Sequence, residues 1–76
     1  FRKRYVSFFK IKGEIMEIKI TDNNFDEVLQ ILEGGKIIFT AEINEYFEDD
    51  LMLFESRLSK EEISEFRTLL KEALND

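Results

Sequence analysis

The sequence contains no cysteine, no histidine, no proline and no tryptophan, and only three glycines in 76 residues. Without cysteine there are no disulfides, thiolate nucleophiles or zinc-thiolate sites. Without histidine the side chain that titrates nearest neutrality, and with it the usual general base and metal ligand, is missing. Serine-triad and cysteine-protease chemistries are therefore excluded. The lack of proline, of low-complexity tracts and of any linker-like composition leaves no internal boundary, so residues 1–76 read as one small α+β domain. No apolar run approaches the roughly 18 residues that argue for a membrane span, and no membrane association is expected. Phe1-Arg2-Lys3-Arg4 has the charged start of a signal peptide, but Lys10 and Lys12 interrupt the following apolar stretch too early. The expected location is the cytoplasm, with which a cysteine-free chain is compatible.

What is present is apolar and acidic. Hydrophobic residues make up 43% of the chain, with eight Phe and two Tyr, too many for a disordered segment. The net charge is −6, which disfavours a generic polyanion binder, but the charge is unevenly spread. Residues 1–12 hold Arg2, Lys3, Arg4, Lys10 and Lys12 with no acid. The other six cations stand against all seventeen acids.

From Tyr5 to Ile20 the apolar residues alternate, with Tyr5, Ser7, Phe9 and Ile11 on one side and Met16, Ile18 and Ile20 matching them. Lys12-Gly13 between these runs predicts a two-residue hairpin turn, because glycine accepts the positive φ that such turns demand. The register that keeps one face apolar pairs Phe9 with Met16 and Ser7 with Ile18. Next, Asn24 and Glu27 have capping-box spacing, and Phe25, Val28, Leu29 and Leu32 fall at i, i+3, i+4, i+7. A short helix ended by Gly34-Gly35 is predicted. Lys36 to Phe47 reads as a long strand with Ile37, Phe39, Ala41, Ile43 and Phe47 inward. Glu48-Asp49-Asp50 is the turn and Leu51 to Glu55 the return strand. A helix across residues 44–58 competes, because Phe47, Leu51, Phe54 and Leu58 also make a helical stripe. The final helix is marked by Ser59 and Glu62 as a capping box, by Leu58 and Ile63 as a hydrophobic staple, and by the stripe Ile63, Phe66, Leu69, Leu70, Ala73, Leu74. The expected order is ββαββα, a four-stranded antiparallel sheet with both helices packed on one face.

Candidate sites follow from this layout. The second face of the sheet is left bare, and Val6, Phe8, Ile15, Ile38, Met52 and Phe54 are expected to form an exposed apolar patch that binds a protein partner. Glu45, Glu48, Asp49 and Asp50, with Glu42, form an acidic surface suited to a basic partner. As a catalytic pair they lack the dry pocket that would raise one carboxyl's pKa. Arg2, Lys3, Arg4, Lys10 and Lys12 with Phe1, Tyr5 and Phe8 have the composition of a nucleic-acid surface, opposed by the acidic remainder of the chain. Asp22, Asn24, Asp26 and Glu33 match positions of a calcium loop, but Glu27 occupies the position where that loop needs glycine, so no metal and no cofactor are expected. The leading expectation is a non-enzymatic protein-interaction or regulatory module with a basic partner or a second copy of itself, one special case being an inhibitor whose acids mimic nucleic-acid phosphates. The alternative is a nucleic-acid-binding module that uses the basic first strand.

Overall fold

The computed structural model describes residues 5–23 and 26–74. Four strands come first, β1 (Tyr5–Ile11), β2 (Glu14–Asn23), β3 (Asp26–Glu33) and β4 (Lys36–Glu42). Two helices follow, α1 (Phe47–Glu55) and α2 (Lys60–Leu74). The sheet order is β1-β2-β3-β4 with every pairing antiparallel. Both helices pack on one face of this sheet, so the expected α+β architecture forms. The element order is ββββαα rather than ββαββα, and two segments change type to produce it.

The first hairpin forms in the register that the apolar alternation dictates, with Phe9 opposite Met16 and Ser7 opposite Ile18. Lys12 (φ 52°) and Gly13 (φ 81°) both take positive φ, as a type I′ turn requires. This turn matches the right-handed twist of the flanking strands.

Residues 26–33 are a strand, not a helix. Gly34 (φ 59°) and Gly35 (φ 83°) form a second positive-φ pair between Glu33 and Lys36, which face each other across β3 and β4. They turn a hairpin instead of capping a helix. The stripe at Val28, Leu29 and Leu32 is equally that of a central strand: Leu29 and Ile31 point into the core while Val28 and Leu32 are half-buried on the other face. Asn24 and Phe25, on which the helix reading leaned, lie outside the described residues. β3 sits between β2 and β4, and pairing with two neighbours outweighs a short helix's weak intrinsic preference.

Residues 47–55 are the helix α1, not the return strand of a hairpin. Asn44 Oδ1 accepts a hydrogen bond from the Tyr46 N–H (2.8 Å), turning the chain ahead of the helix. Glu48, Asp49 and Asp50 occupy its first turn, where unpaired N–H groups favour acids. Phe47, Leu51 and Phe54 form its buried stripe.

α2 begins with a complete capping box. Ser59 Oγ accepts from the Glu62 N–H (3.2 Å) and Glu62 Oε1 accepts from the Ser59 N–H (2.9 Å). Its Phe66 is fully buried and Leu70 nearly so. Four rings run through the core from one edge strand to the other. Phe9 of β1 lies 5.4 Å from Phe66, Phe66 lies 5.3 Å from Phe54, and Phe54 lies 5.2 Å from Phe39 of β4. Such tilted pairs add about 0.5–1.5 kcal/mol each beyond area burial.

Candidate functional site

Alternation places every second residue of each strand on the face that the helices leave open. Registers across the four strands define its rows: Lys10 beside Ile15; Phe8, Glu17, Leu32 and Ile37; then Val6, Lys19, Gln30 and Thr40; then Thr21, Val28 and Glu42. Phe8 is 61% exposed, Ile15 59%, Ile37 48% and Val6 47%. These four and half-buried Leu32 gather at the end of the sheet that carries the Gly34-Gly35 turn. A groove there is lined by Phe8, Ile15, Glu17, Leu32, Gly34 and Gly35. The other half of the face is polar and continues to Asn44, Tyr46 and Asp50 at the entrance to α1.

Three residues expected in this patch lie elsewhere. A bulge at Ile38 of β4, opposite the step from Ile31 to Leu32, leaves Ile38 without a direct partner on β3, because Ile31 faces Phe39 whereas Leu32 faces Ile37. The extra residue moves Ile37 outward and lets Ile38 pack against the core. Phe54 is buried in the ring series and Met52 is exposed on the solvent side of α1, both consequences of that segment being helical. Ile37 escapes the strict alternation, and nothing short of the bulge itself marks it.

The acids occupy the approach to α1 and its first turn rather than a hairpin tip. Glu45, Glu48 and Asp49 are exposed and Asp50 is half-buried. Glu48 is engaged internally by Arg67 Nη1 (3.1 Å). The only buried charged side chain among the described residues is Glu55, which takes a bidentate pair of bonds from Arg67, Nε to Oε2 at 2.6 Å and Nη2 to Oε1 at 2.8 Å. Those bonds, then the one from Glu48, raise the already high pKa of the guanidinium. Arg67 thus ties the two helices together.

Of the basic set, Arg2, Lys3 and Arg4, with Phe1, lie outside the described residues. Lys10 is exposed on the open face beside Ile15, and Lys12 sits in the first hairpin turn. The backbone N–H of Lys12 donates to Glu62 Oε2 (2.7 Å). One carboxylate therefore completes the α2 cap and pins the hairpin turn to it. The Ser59 and Lys12 bonds stabilise the charged form, in that order, and lower the Glu62 pKa.

The calcium-loop match does not assemble. Asp26 and Glu33 stand at opposite ends of β3, seven residues or about 23 Å apart at strand rise, too far to share one ion. Among the described residues no three carboxylates converge as metal ligands, and no helix among them is long and apolar enough to cross a membrane. No protein-family model, curated protein or solved structure matches the chain.

Proposed function

We propose that the chain is a non-enzymatic protein-interaction module that engages its partner through the open face of the sheet. The observation that carries this reading is the group Val6, Phe8 and Ile15, neighbours on β1 and β2 and each about half exposed or more, with half-buried Leu32 and exposed Ile37 continuing the apolar surface across the same face. Contiguous apolar surface of this kind marks interfaces in small soluble domains. The one buried carboxylate among the described residues, Glu55, is held by Arg67 and not offered to a cleft.

The acids before and within the first turn of α1 supply a field that draws a basic surface towards the molecule and speeds association. An inhibitor role, with these acids standing in for phosphates, is the regulatory form of the same proposal. A second reading, binding of single-stranded nucleic acid, draws on Lys10 and Lys19 flanking Phe8 on the open face.

One experiment separates them. Heparin and an unrelated oligonucleotide are titrated at 50 and 200 mM salt, and partner capture from the native host is compared for wild type and Phe8→Glu. The interaction module predicts no oligonucleotide binding and Phe8-dependent capture of a protein. Oligonucleotide binding that weakens steeply with salt would transfer the assignment to the second reading.

A further inference from the structure

The two edge strands of the open face both carry exposed apolar residues. A twofold axis running along the strands between β2 and β3 exchanges β1 with β4 and β2 with β3 when two such faces are laid together. In the row Phe8, Glu17, Leu32, Ile37, this operation sets Phe8 of each copy over Ile37 of the other. Both are exposed apolar residues of edge strands, and Val6, the other one on β1, falls over Thr40 of the second copy. Continuing the β2–β3 register one step beyond Met16 and Glu33 places Ile15 level with Gly34. The same axis therefore lowers Ile15 onto the Gly34-Gly35 turn of the second copy. That turn has no side chains, and a methyl group added at either glycine would meet nothing within 4 Å. The groove beside it, walled by Phe8 and Leu32, is a recess for the Ile15 side chain.

Charge agrees with this pairing. The three rows that hold the apolar corner carry Lys10, Lys19 and Glu17, without the acidic excess found elsewhere in a molecule of net charge −6. Under the twofold, Lys19 lies over Gln30 and Glu17 over Leu32, so no like charges are pressed together. Four strands about 4.8 Å apart and at least seven residues long give a plane roughly 20 Å on each side. Covering it removes roughly 500–700 Å² from each copy, which places the contact at the low, weakly associating end of specific interfaces.

We infer that the chain forms a symmetric homodimer through this face, with Phe8 packed on Ile37 and Ile15 seated at the Gly34-Gly35 turn of the second copy. The inference rests on the open face being a protein-binding surface and specifies its occupant.

Sedimentation equilibrium of the full chain from 5 to 500 µM is the test. Wild type is expected to dimerise with a dissociation constant of about 1–50 µM, and to dimerise more tightly as salt screens repulsion between two acidic molecules. Phe8→Glu should weaken association at least about 100-fold with an unchanged circular dichroism spectrum, and Ile15→Ala about tenfold. Phe8→Glu combined with Ile37→Lys should recover at least tenfold of the loss, because the new carboxylate then meets the new ammonium across the axis. Within one copy these positions are three strand spacings apart, about 14 Å, too far to pair. Wild type remaining monomeric at 500 µM overturns the inference, as does a dimer that Phe8→Glu leaves intact or a double variant no tighter than Phe8→Glu alone. A monomer whose capture of a host protein still depends on Phe8 removes the second copy as occupant and keeps the interaction surface. A monomer with no Phe8-dependent capture removes both.

Discussion

Replacing Arg67 by alanine strands a carboxylate that the fold has already taken out of water. The Glu55 side chain is 9% exposed and Arg67 is 42% exposed, so the pair is neither a surface ion pair, worth about 0–1 kcal/mol, nor a fully enclosed one, where loss of a partner costs about 3–5 kcal/mol. The bidentate geometry at 2.6 and 2.8 Å is close to the best available to arginine, while solvent at the guanidinium softens the penalty. An intermediate loss of about 2–3 kcal/mol follows. A domain of 76 residues has about 4–11 kcal/mol of total stability, so Arg67→Ala should remain folded with a melting temperature lower by about 10–20 °C. Urea unfolding followed by circular dichroism measures the loss directly. Glu48→Ala, which removes only the exposed third bond, should cost under about 0.5 kcal/mol. Arg67→Met with Glu55→Leu should recover most of the stability, since an apolar pair leaves no buried charge alone. A loss below about 0.5 kcal/mol in Arg67→Ala would refute the argument, as would a double variant no better than the single.

Gly34→Ala and Gly35→Ala should each destabilise by about 1–2 kcal/mol in thermal melts, purely through the positive φ, since an added methyl group meets no neighbour; a change under about 0.3 kcal/mol in both would contradict the turn. Because the Glu62 pKa is lowered in the fold, its stabilising effect is complete above the ordinary carboxylate range and is lost as pH falls through the lowered value. Glu62→Gln should therefore be less stable than wild type at pH 7, and their melting temperatures should converge as pH falls through the lowered value. Reversing Glu48, Asp49 and Asp50 to Lys should destabilise α1 by about 1–2 kcal/mol through the loss of acids at its first turn, where a solvated hairpin tip would tolerate the change; helicity at 222 nm against urea distinguishes the two.

The elements legible in the sequence are those whose signal is both local and unambiguous. Ser59 and Glu62 can satisfy the first turn of α2 without reference to the rest of the chain, and Lys12-Gly13 between two alternating runs admits one register that keeps Phe9, Met16 and Ile18 together. Residues 26–33 were ambiguous because Val28-Leu29-Gln30-Ile31-Leu32 is apolar enough for a central strand or a helix stripe, and Gly34-Gly35 can cap a helix or turn a hairpin. The β-branched Val28 and Ile31 favour the strand, but the decision is made by β2 and β4 on either side. Residues 47–55 carried the opposite hint: Phe47 to Leu58 contains no Val, Ile or Thr, and three acids crowd the start of the helical stripe. The open apolar face was legible because Val6, Phe8 and Ile15 break an otherwise polar alternation. Ile37 was not, since a bulge shifts the alternation by one residue and arises from pairing rather than from residue type.

The neighbour-to-neighbour order of the strands also sets a schedule for synthesis. Every pairing in the sheet closes over a short stretch of chain, so the sheet can assemble as its residues emerge, whereas the Lys12 to Glu62 bond spans 50 residues. When Glu42 leaves the ribosome, the inner surface of Phe9, Ile18, Leu29 and Ile31 is complete and its helical cover is not yet made. Residues 43–74 take about 2–6 s more at typical elongation rates. For that interval the inner apolar face and the corner at Val6, Phe8 and Ile15 on the other face are exposed together, until α1 and then Phe66 arrive.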